Sequence, residues 1–323
     1  MKFFSSSSLF FCTLLVGSCF ALKETIIDVM KKDSSISIVT KILEKRFKSV
    51  SFDPNNVPYT LFVPTNNAII NSGADKLSES QIISILGYHV VNETIFSKDI
   101  KRDIKFYRTF QLEKEYVNLP GGKSQVLGLF RSGSKVIIKD GIFDPSERPA
   151  RVIKANVKAA KGVIHIIDKV LKIPPKISTI LKGSPRFSVL RKELMDSNLL
   201  SVIDNTPGIT LFAPSNLAFT KLLQTNIDPS IKNLIPVLKN HVIGGKSLYS
   251  TKFTRSKSYE TLLSGSKVQV SRSRIGLPLV QNRPIIAQDL LAENGVLQGI
   301  NFVIIPDKRV YTPRKKTGNT SKQ

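Results

Sequence analysis

The chain has 323 residues, 41% hydrophobic and 22% charged, enough for two ordinary domains with packed cores and unlike a disordered polyelectrolyte. Its 48 basic and 24 acidic residues leave a formal charge of +24, and the excess is spread along the chain. Residues 23–173 carry 25 basic and 16 acidic side chains, residues 174–305 carry 16 and 7, and residues 306–323 carry 6 and 1.

In chain order, Lys2, the apolar residues 9–16 and Cys19-Phe20-Ala21 read as a secretory signal peptide, residues 1–21, cleaved after Ala21. Its apolar heart is shorter than the roughly 20 residues of a spanning helix. Both cysteines, Cys12 and Cys19, fall inside it, so the mature chain has neither disulfides nor thiol chemistry. Ile26, Ile27, Met30, Ile36, Val39 and Ile42 recur near helical spacing and predict amphipathic helices on a core. Thr60-Leu61-Phe62-Val63-Pro64-Thr65 then predicts a buried strand, a proline that cannot extend its ladder, and a hydroxyl to cap the next helix. Residues 77–86 predict a helix, introduced by Ser78 or Ser80, that leads into Tyr88-His89. From Phe106 to Ile167 short strands dominate, broken by Pro120-Gly121-Gly122, Gly133 and Asp140-Gly141, with residues 144–149 as a loop. A glycine-led apolar strand beginning at Gly162 closes this unit, and Pro174-Pro175 marks its boundary.

The same plan then returns. Thr210-Leu211-Phe212-Ala213-Pro214-Ser215 repeats the strand, stop and cap; Asn240-His241 follows at a similar offset; and a second glycine-led strand starts at Gly295 and ends before Pro306. Ser132-Gly133-Ser134-Lys135-Val136 is echoed by Ser264-Gly265-Ser266-Lys267-Val268, a turn entering a strand. Mixed helices and strands in two copies argue an α+β class.

These ordered motifs resemble the fasciclin family, whose module is also called FAS1. The resemblance implies two tandem FAS1 domains, residues 22–173 and 174–306, each a wedge of two small β-sheets with packed helices, followed by a basic tail, residues 307–323. It identifies Tyr88 and His89 with the family's tyrosine–histidine motif. Asp289-Leu290 looks like the Asp-Ile motif that animal fasciclin proteins present to integrins, and these four residues are candidate adhesion positions. Asn240, Gln298 and Gly299 depart from the family pattern in the second copy.

Most catalytic chemistry is absent from the pattern. Of the three histidines, His89, His165 and His241, two sit at equivalent positions of the copies, which argues against a shared metal site; His89 and His241 are read as buried and hydrogen-bonded next to apolar strands. Gly121-Gly122-Lys123-Ser124 and Gly244-Gly245-Lys246-Ser247 lack the first glycine of a phosphate loop and read as hairpin turns. No Gly-x-Ser-x-Gly elbow occurs, and no carboxylate pair is spaced for glycoside hydrolysis. The expectation is therefore no enzyme, no cofactor and no metal.

Lys252, Arg255, Lys257, Lys267, Arg272 and Arg274, with Arg314, Lys315 and Lys316 of the tail, are candidates for a polyanion-binding surface, and Asn92 and Asn319 head N-glycosylation tripeptides. The reading is a secreted, non-enzymatic adhesion or matrix and cell-wall protein. Its expected partners are an acidic polysaccharide or a cell-surface or matrix protein, and no nucleic acid. The alternative is a lumenal protein of the secretory pathway or vacuole docking on an anionic membrane surface or a membrane partner; a wall-polymer hydrolase ranks third.

Overall fold

Strand β1 (Thr60–Pro64) buries all of its side chains, and it does so on two faces at once. Leu61 and Val63 join one core cluster with Ile26, Met30, Val39, Ile164 and Ile166, while Phe62 joins another with Tyr88, Leu127, Leu129 and Ile138. A strand sandwiched in this way needs an unbroken apolar run, since alternate residues point to opposite faces. The computed structural model describes residues 24–47, 58–159, 162–224 and 234–307. The signal-peptide reading and the tail positions Arg314, Lys315, Lys316 and Asn319 lie outside those residues.

Helices α1 (Ile26–Lys31) and α2 (Ser37–Phe47) precede β1; α3 (Asn66–Ser72), α4 (Glu79–Tyr88) and β2 (Val90–Val91) follow it. Next come β3 (Lys105–Arg108), β4 (Val126–Ser132), β5 (Lys135–Lys139), β6 (Ala150–Ala159) and β7 (Gly162–Ile167). The second copy runs α5 (Ile177–Lys182), α6 (Ser188–Asp196), α7 (Leu199–Asn205), β8 (Ile209–Pro214), α8 (Asn216–Gln224), α9 (Ile235–Asn240) and β9 (Val242–Ile243). It continues with β10 (Lys257–Glu260), β11 (Lys267–Arg272), β12 (Pro278–Val280), β13 (Arg283–Pro284), β14 (Ala287–Ala292) and β15 (Gly295–Ile300).

The two copies share their register as well as their order. β1 runs parallel to β7 with Thr60 opposite Val163, and antiparallel to β2 with Thr60 opposite Val91. β8 runs parallel to β15 with Thr210 opposite Val296, and antiparallel to β9 with Thr210 opposite Ile243. The helix caps repeat too: Thr65 Oγ1 accepts from the Ala68 N–H at 3.2 Å, and Ser215 Oγ accepts from the Ala218 N–H at 3.4 Å. Ser78 caps α4 in a reciprocal box with Gln81. Thr65→Ala should therefore cost about 1 kcal/mol in chemical denaturation; no loss would mean that Thr65 does not hold α3.

The copies differ in how their sheets join. In the first domain β6 is ten residues long and pairs with both β5 and β7, so the two halves form one seven-stranded sheet, β2-β1-β7-β6-β5-β4-β3. Register shifts between Val152 and Val157 bend it at the junction. In the second domain the equivalent path is broken into β13 and β14, and two four-stranded sheets result, β10-β11-β12-β13 and β14-β15-β8-β9. Separate small sheets are thus found in the second domain, and long β6 fuses them in the first.

The domains touch through a small apolar cluster of Val126, Tyr249, Leu291 and Val296, where the Phe106 and Tyr249 rings stack with centroids 4.7 Å apart. Gln125 Nε2 donates to the Ala292 and Glu293 carbonyls, each at 3.3 Å, and the Asn118 N–H donates to Glu293 at 3.0 Å. Pro120–Gly122 is a tight turn with Gly121 in the left-handed region at φ 69°, not the turn of a hairpin, and Pro120 sits on Gly208; a Cβ there would lie 2.2 Å from Pro120 Cγ. Among the described residues no helix is long and apolar enough to cross a membrane.

Candidate functional site

Tyr88 and His89 end α4 inside the first domain, both fully buried. The Tyr88 hydroxyl donates to the Val126 carbonyl at 2.9 Å. His89 Nδ1 donates to the Ile85 carbonyl at 2.7 Å, and its Nε2 accepts the Leu171 N–H at 2.9 Å, so the ring clasps the helix end to the chain leaving β7. His241 repeats the clasp, with Nδ1 on the Val237 carbonyl at 2.7 Å and Nε2 on the Ile304 N–H at 2.8 Å. Burial lowers both imidazoles to a pKa of about 4, so the rings are neutral and fixed in one tautomer. As placed, this motif clamps the fold and presents no surface to a receptor. Asn240 stands where Tyr88 stands in the first copy, bonded to the Ile304 carbonyl and the Ser266 hydroxyl, and lines an open cleft of about 720 Å³.

Asp289 occupies a bulge in β14 with φ at 54°, and Asn156 occupies the matching bulge in β6 with φ at 64°. A left-handed backbone is tolerated by Asn and Asp better than by most side chains. Each side chain caps a short 3₁₀ turn: Asn156 Oδ1 accepts from the Ser97 N–H at 2.8 Å, and Asp289 Oδ1 accepts from the Ser250 N–H at 2.7 Å. Behind them, His165 bonds Asn156 and the Ile95 carbonyl, and Gln298 takes the same place with bonds to Asp289 and the Leu248 carbonyl. Gln298 therefore takes the part of His165 in the second copy. Asp289 is 2% exposed, and its carboxylate is engaged by Ser250 and Gln298; Leu290 packs against the second domain's core.

The basic candidates of the second domain divide. Lys252, Arg255, Lys257, Lys267, Arg272 and Arg274 are all exposed. Lys257 lies opposite Val270 near the end of β11 that leads to Arg272, whereas Lys267 lies at the other end opposite Glu260, with which it forms a 3.0 Å ion pair. Arg272 is committed to the fold: it donates to the carbonyls of Phe253 at 2.8 Å, Ser250 at 2.8 Å and Gly276 at 2.6 Å. Arg131 does the same in the first domain, reaching the carbonyls of Ile100, Ser97 and Ser134. Lys252 and Arg255 precede β10, Lys257 begins it opposite Val270, and Arg274 follows β11, so all four belong to chain segments at the same end of the β10–β11 pair. None of these four has an ion pair among the described residues. Asn92 is exposed in the bend after β2.

Residues that the sequence did not single out gather between the domains. Phe130, Lys139 and Gln288 stand where two adjoining clefts meet, of about 280 and 340 Å³, and the larger also takes in Arg102, Asp103, Thr251 and Arg272. No motif marks this set, because Lys139 ends one strand and Gln288 lies in another nearly half a chain away. Asp140 beside it accepts N–H groups from Ile142 at 3.1 Å and Lys172 at 2.8 Å, and burial raises its carboxyl to a pKa of about 6.

Comparison with known proteins finds relatives over most of the chain. The chain is 26% identical over 261 residues to the transforming growth factor-beta-induced protein ig-h3 of Sus scrofa, covering 77% of this chain and 35% of that protein. It is 26% identical over 243 residues to a fasciclin-like arabinogalactan protein of Arthroderma benhamiae, covering 75% of this chain and 55% of that one. It is 25% identical over 317 residues to the fasciclin-like arabinogalactan protein CTB11 of Cercospora beticola, covering 92% and 81%. The chain thus spans well under two thirds of the first two of these relatives. Among solved structures, a FAS1 domain pair from the insect cell adhesion molecule fasciclin I aligns with a TM-score of 0.41 and 18% identity, over 86% of this chain and 99% of that one. The fasciclin domain model matches residues 34–174 and again residues 185–306, and the chain belongs to the fasciclin domain family.

Proposed function

We propose that this protein is a secreted, non-enzymatic adhesion or matrix component that binds acidic polysaccharide through the basic end of its second domain. The observation that carries the reading is the group Lys252, Arg255, Lys257 and Arg274, exposed together and without acidic partners among the described residues, in a chain of formal charge +24. Relatives named fasciclin-like arabinogalactan proteins support a glycan-rich setting. Cations on a shared surface attract a polyanion over about a Debye length, and the attraction weakens as salt is added. Reversing Lys252, Arg255, Lys257 and Arg274 to glutamate should sharply weaken retention on immobilised heparin or polygalacturonate at low salt. Arg272 is left intact because its loss would unlatch three carbonyls. Retention of the reversed protein equal to wild type would sink the reading.

One observation favours a second reading, docking on an anionic membrane. Ile275 is 82% exposed and Leu277 45% exposed at the β11–β12 turn, beside Arg274, whereas the turn at the same place in the first domain's strand order, β4–β5, carries only Ser132, Gly133 and Ser134. The sequence echo at residues 264–268 leads instead from β10 into β11. An apolar tip among cations suits a charged lipid surface. Ile275→Ser should weaken binding to phosphatidylserine vesicles several-fold on that reading and leave heparin retention unchanged.

A further inference from the structure

The cleft between the domains holds an ammonium that the fold leaves unused. Lys139 projects from the end of β5 and has neither a hydrogen bond nor an ion pair among the described residues. The carboxylates within its field are both engaged elsewhere, Asp140 with backbone N–H groups and Asp289 with Ser250 and Gln298. Burial lowers the Lys139 pKa, and Asp289 and Asp140 oppose that shift, so the side chain sits in a partly dehydrated place. A compact cation without a partner in such a place gains more from an incoming anion than one in bulk water does.

The surroundings narrow the ligand. The larger cleft, about 340 Å³, is at the small end of ligand-site volumes, and fits one or two sugar rings rather than a peptide or a lipid tail. Arg102 joins Lys139 on the first-domain wall, where Asp103 is the one exposed carboxylate, and Thr251 supplies a hydroxyl on the second-domain wall. Phe130, Ile104 and Leu277 add apolar surface against which the C–H face of a ring can lie. Thr251 immediately precedes Lys252, and Arg272 lines the cleft while ending β11, so the cleft opens beside the basic cluster already described.

We propose that the interdomain cleft is a binding site for one acidic sugar unit of a glycan, with its carboxylate or sulfate held by Lys139 and Arg102 and its ring against Phe130 and Leu277. The proposal rests on the acidic-glycan reading above and adds a defined site to it. Because Lys139 and Arg102 come from the first domain and Thr251 from the second, the ligand bridges the two, and binding should also raise the unfolding temperature of the full chain.

The test is calorimetric titration of the full chain at low salt with a galacturonate hexasaccharide, a heparin-derived hexasaccharide and a neutral glucose hexasaccharide. Binding of the galacturonate probe would show that a carboxylate suffices, and binding of the heparin probe alone, which carries both groups, would show that sulfate is required. Lys139→Met should weaken binding of the preferred acidic probe at least tenfold without lowering the unfolding temperature, and Arg102→Ala, at an exposed position, should weaken it several-fold even if Lys139→Met fails to fold. Equal affinity in wild type, Lys139→Met and Arg102→Ala, with loss only in the Lys252, Arg255, Lys257 and Arg274 reversal, would overturn the cleft and leave the surface cluster standing. No binding of either acidic probe, or equal binding of the neutral one, would overturn the cleft too. If heparin and polygalacturonate retention were also absent, the acidic-glycan reading would fall with it.

Discussion

Urea denaturation repeated from neutral pH down to pH 4 should show the second domain losing about 3 kcal/mol of stability through His241, whose pKa is lowered from 6.5 to about 4. The folded-state pKa lies below the unfolded one, so the unfolded chain takes up the proton first and acid favours unfolding. This contribution is complete above pH 6.5 and is lost as the pH falls to about 4. In the first domain His89 is shifted to the same value, and burial lowers His165 as well. Asp140 acts in the opposite direction: its carboxyl is raised from 3.8 to about 6, so the folded state takes that proton first and gains stability over the same fall in pH. Acid should therefore weaken the first domain less than its two histidines alone would. Proton NMR of the imidazole rings checks the cause directly. Neither His89 nor His241 should titrate above pH 5, and a midpoint near 6.5 would remove the argument. At pH 7, His241→Ala should cost about 4 kcal/mol, since the Val237 carbonyl and the Ile304 N–H lose their partner inside the protein and a cavity is left.

Gly295→Ala should cost about 4 kcal/mol or more and unfold the second domain, whereas Gly162→Ala at the equivalent place should cost about 1–3 kcal/mol. A Cβ on Gly295 would lie 1.9 Å from the Ile209 carbonyl oxygen and 2.7 Å from the Ile209 nitrogen. Those atoms belong to β8 as it pairs with β15, so relief requires breaking the ladder that closes the domain. The atoms nearest a Cβ on Gly162 are instead in the Tyr59 ring, the closest at 2.3 Å. That ring can swing aside at the expense of its hydroxyl bond to the Ala159 carbonyl. Circular dichroism melts of both variants would show the contrast, and equal destabilisation would mean that strand spacing, not the identity of the neighbouring atom, sets the cost.

Much of this architecture can be read from short stretches of chain. Leu61, Phe62 and Val63 announce a strand buried on both faces, Thr65 and Ser215 announce caps, and the return of each in order announces two copies. The positions of His89 and His241 beside apolar strands foretell buried rings. Local sequence is weaker where a side chain's use depends on what lies across the fold. Arg272 counts as one more surface charge in the sequence, yet it latches three carbonyls from two loops. Lys267 belongs to the same basic run but is paired with Glu260 at the far end of the hairpin. Asp289 sits beside a leucine, as an exposed recognition loop would place it, and the bulge in β14 turns its carboxylate inward to Ser250.

The sequence by itself determined the family, the doubled α+β plan, the strand faces and the sign of the charge, because these follow from residue type, spacing of two or about four, and repetition. Tertiary structure alone decided which cations remain available, how β6 fuses two sheets in one domain while β13 and β14 separate them in the other, and the meeting of Lys139 and Arg102 with Thr251 in a cleft. Those outcomes depend on pairings between residues far apart in the chain, whose distances are set by packing rather than by any local pattern.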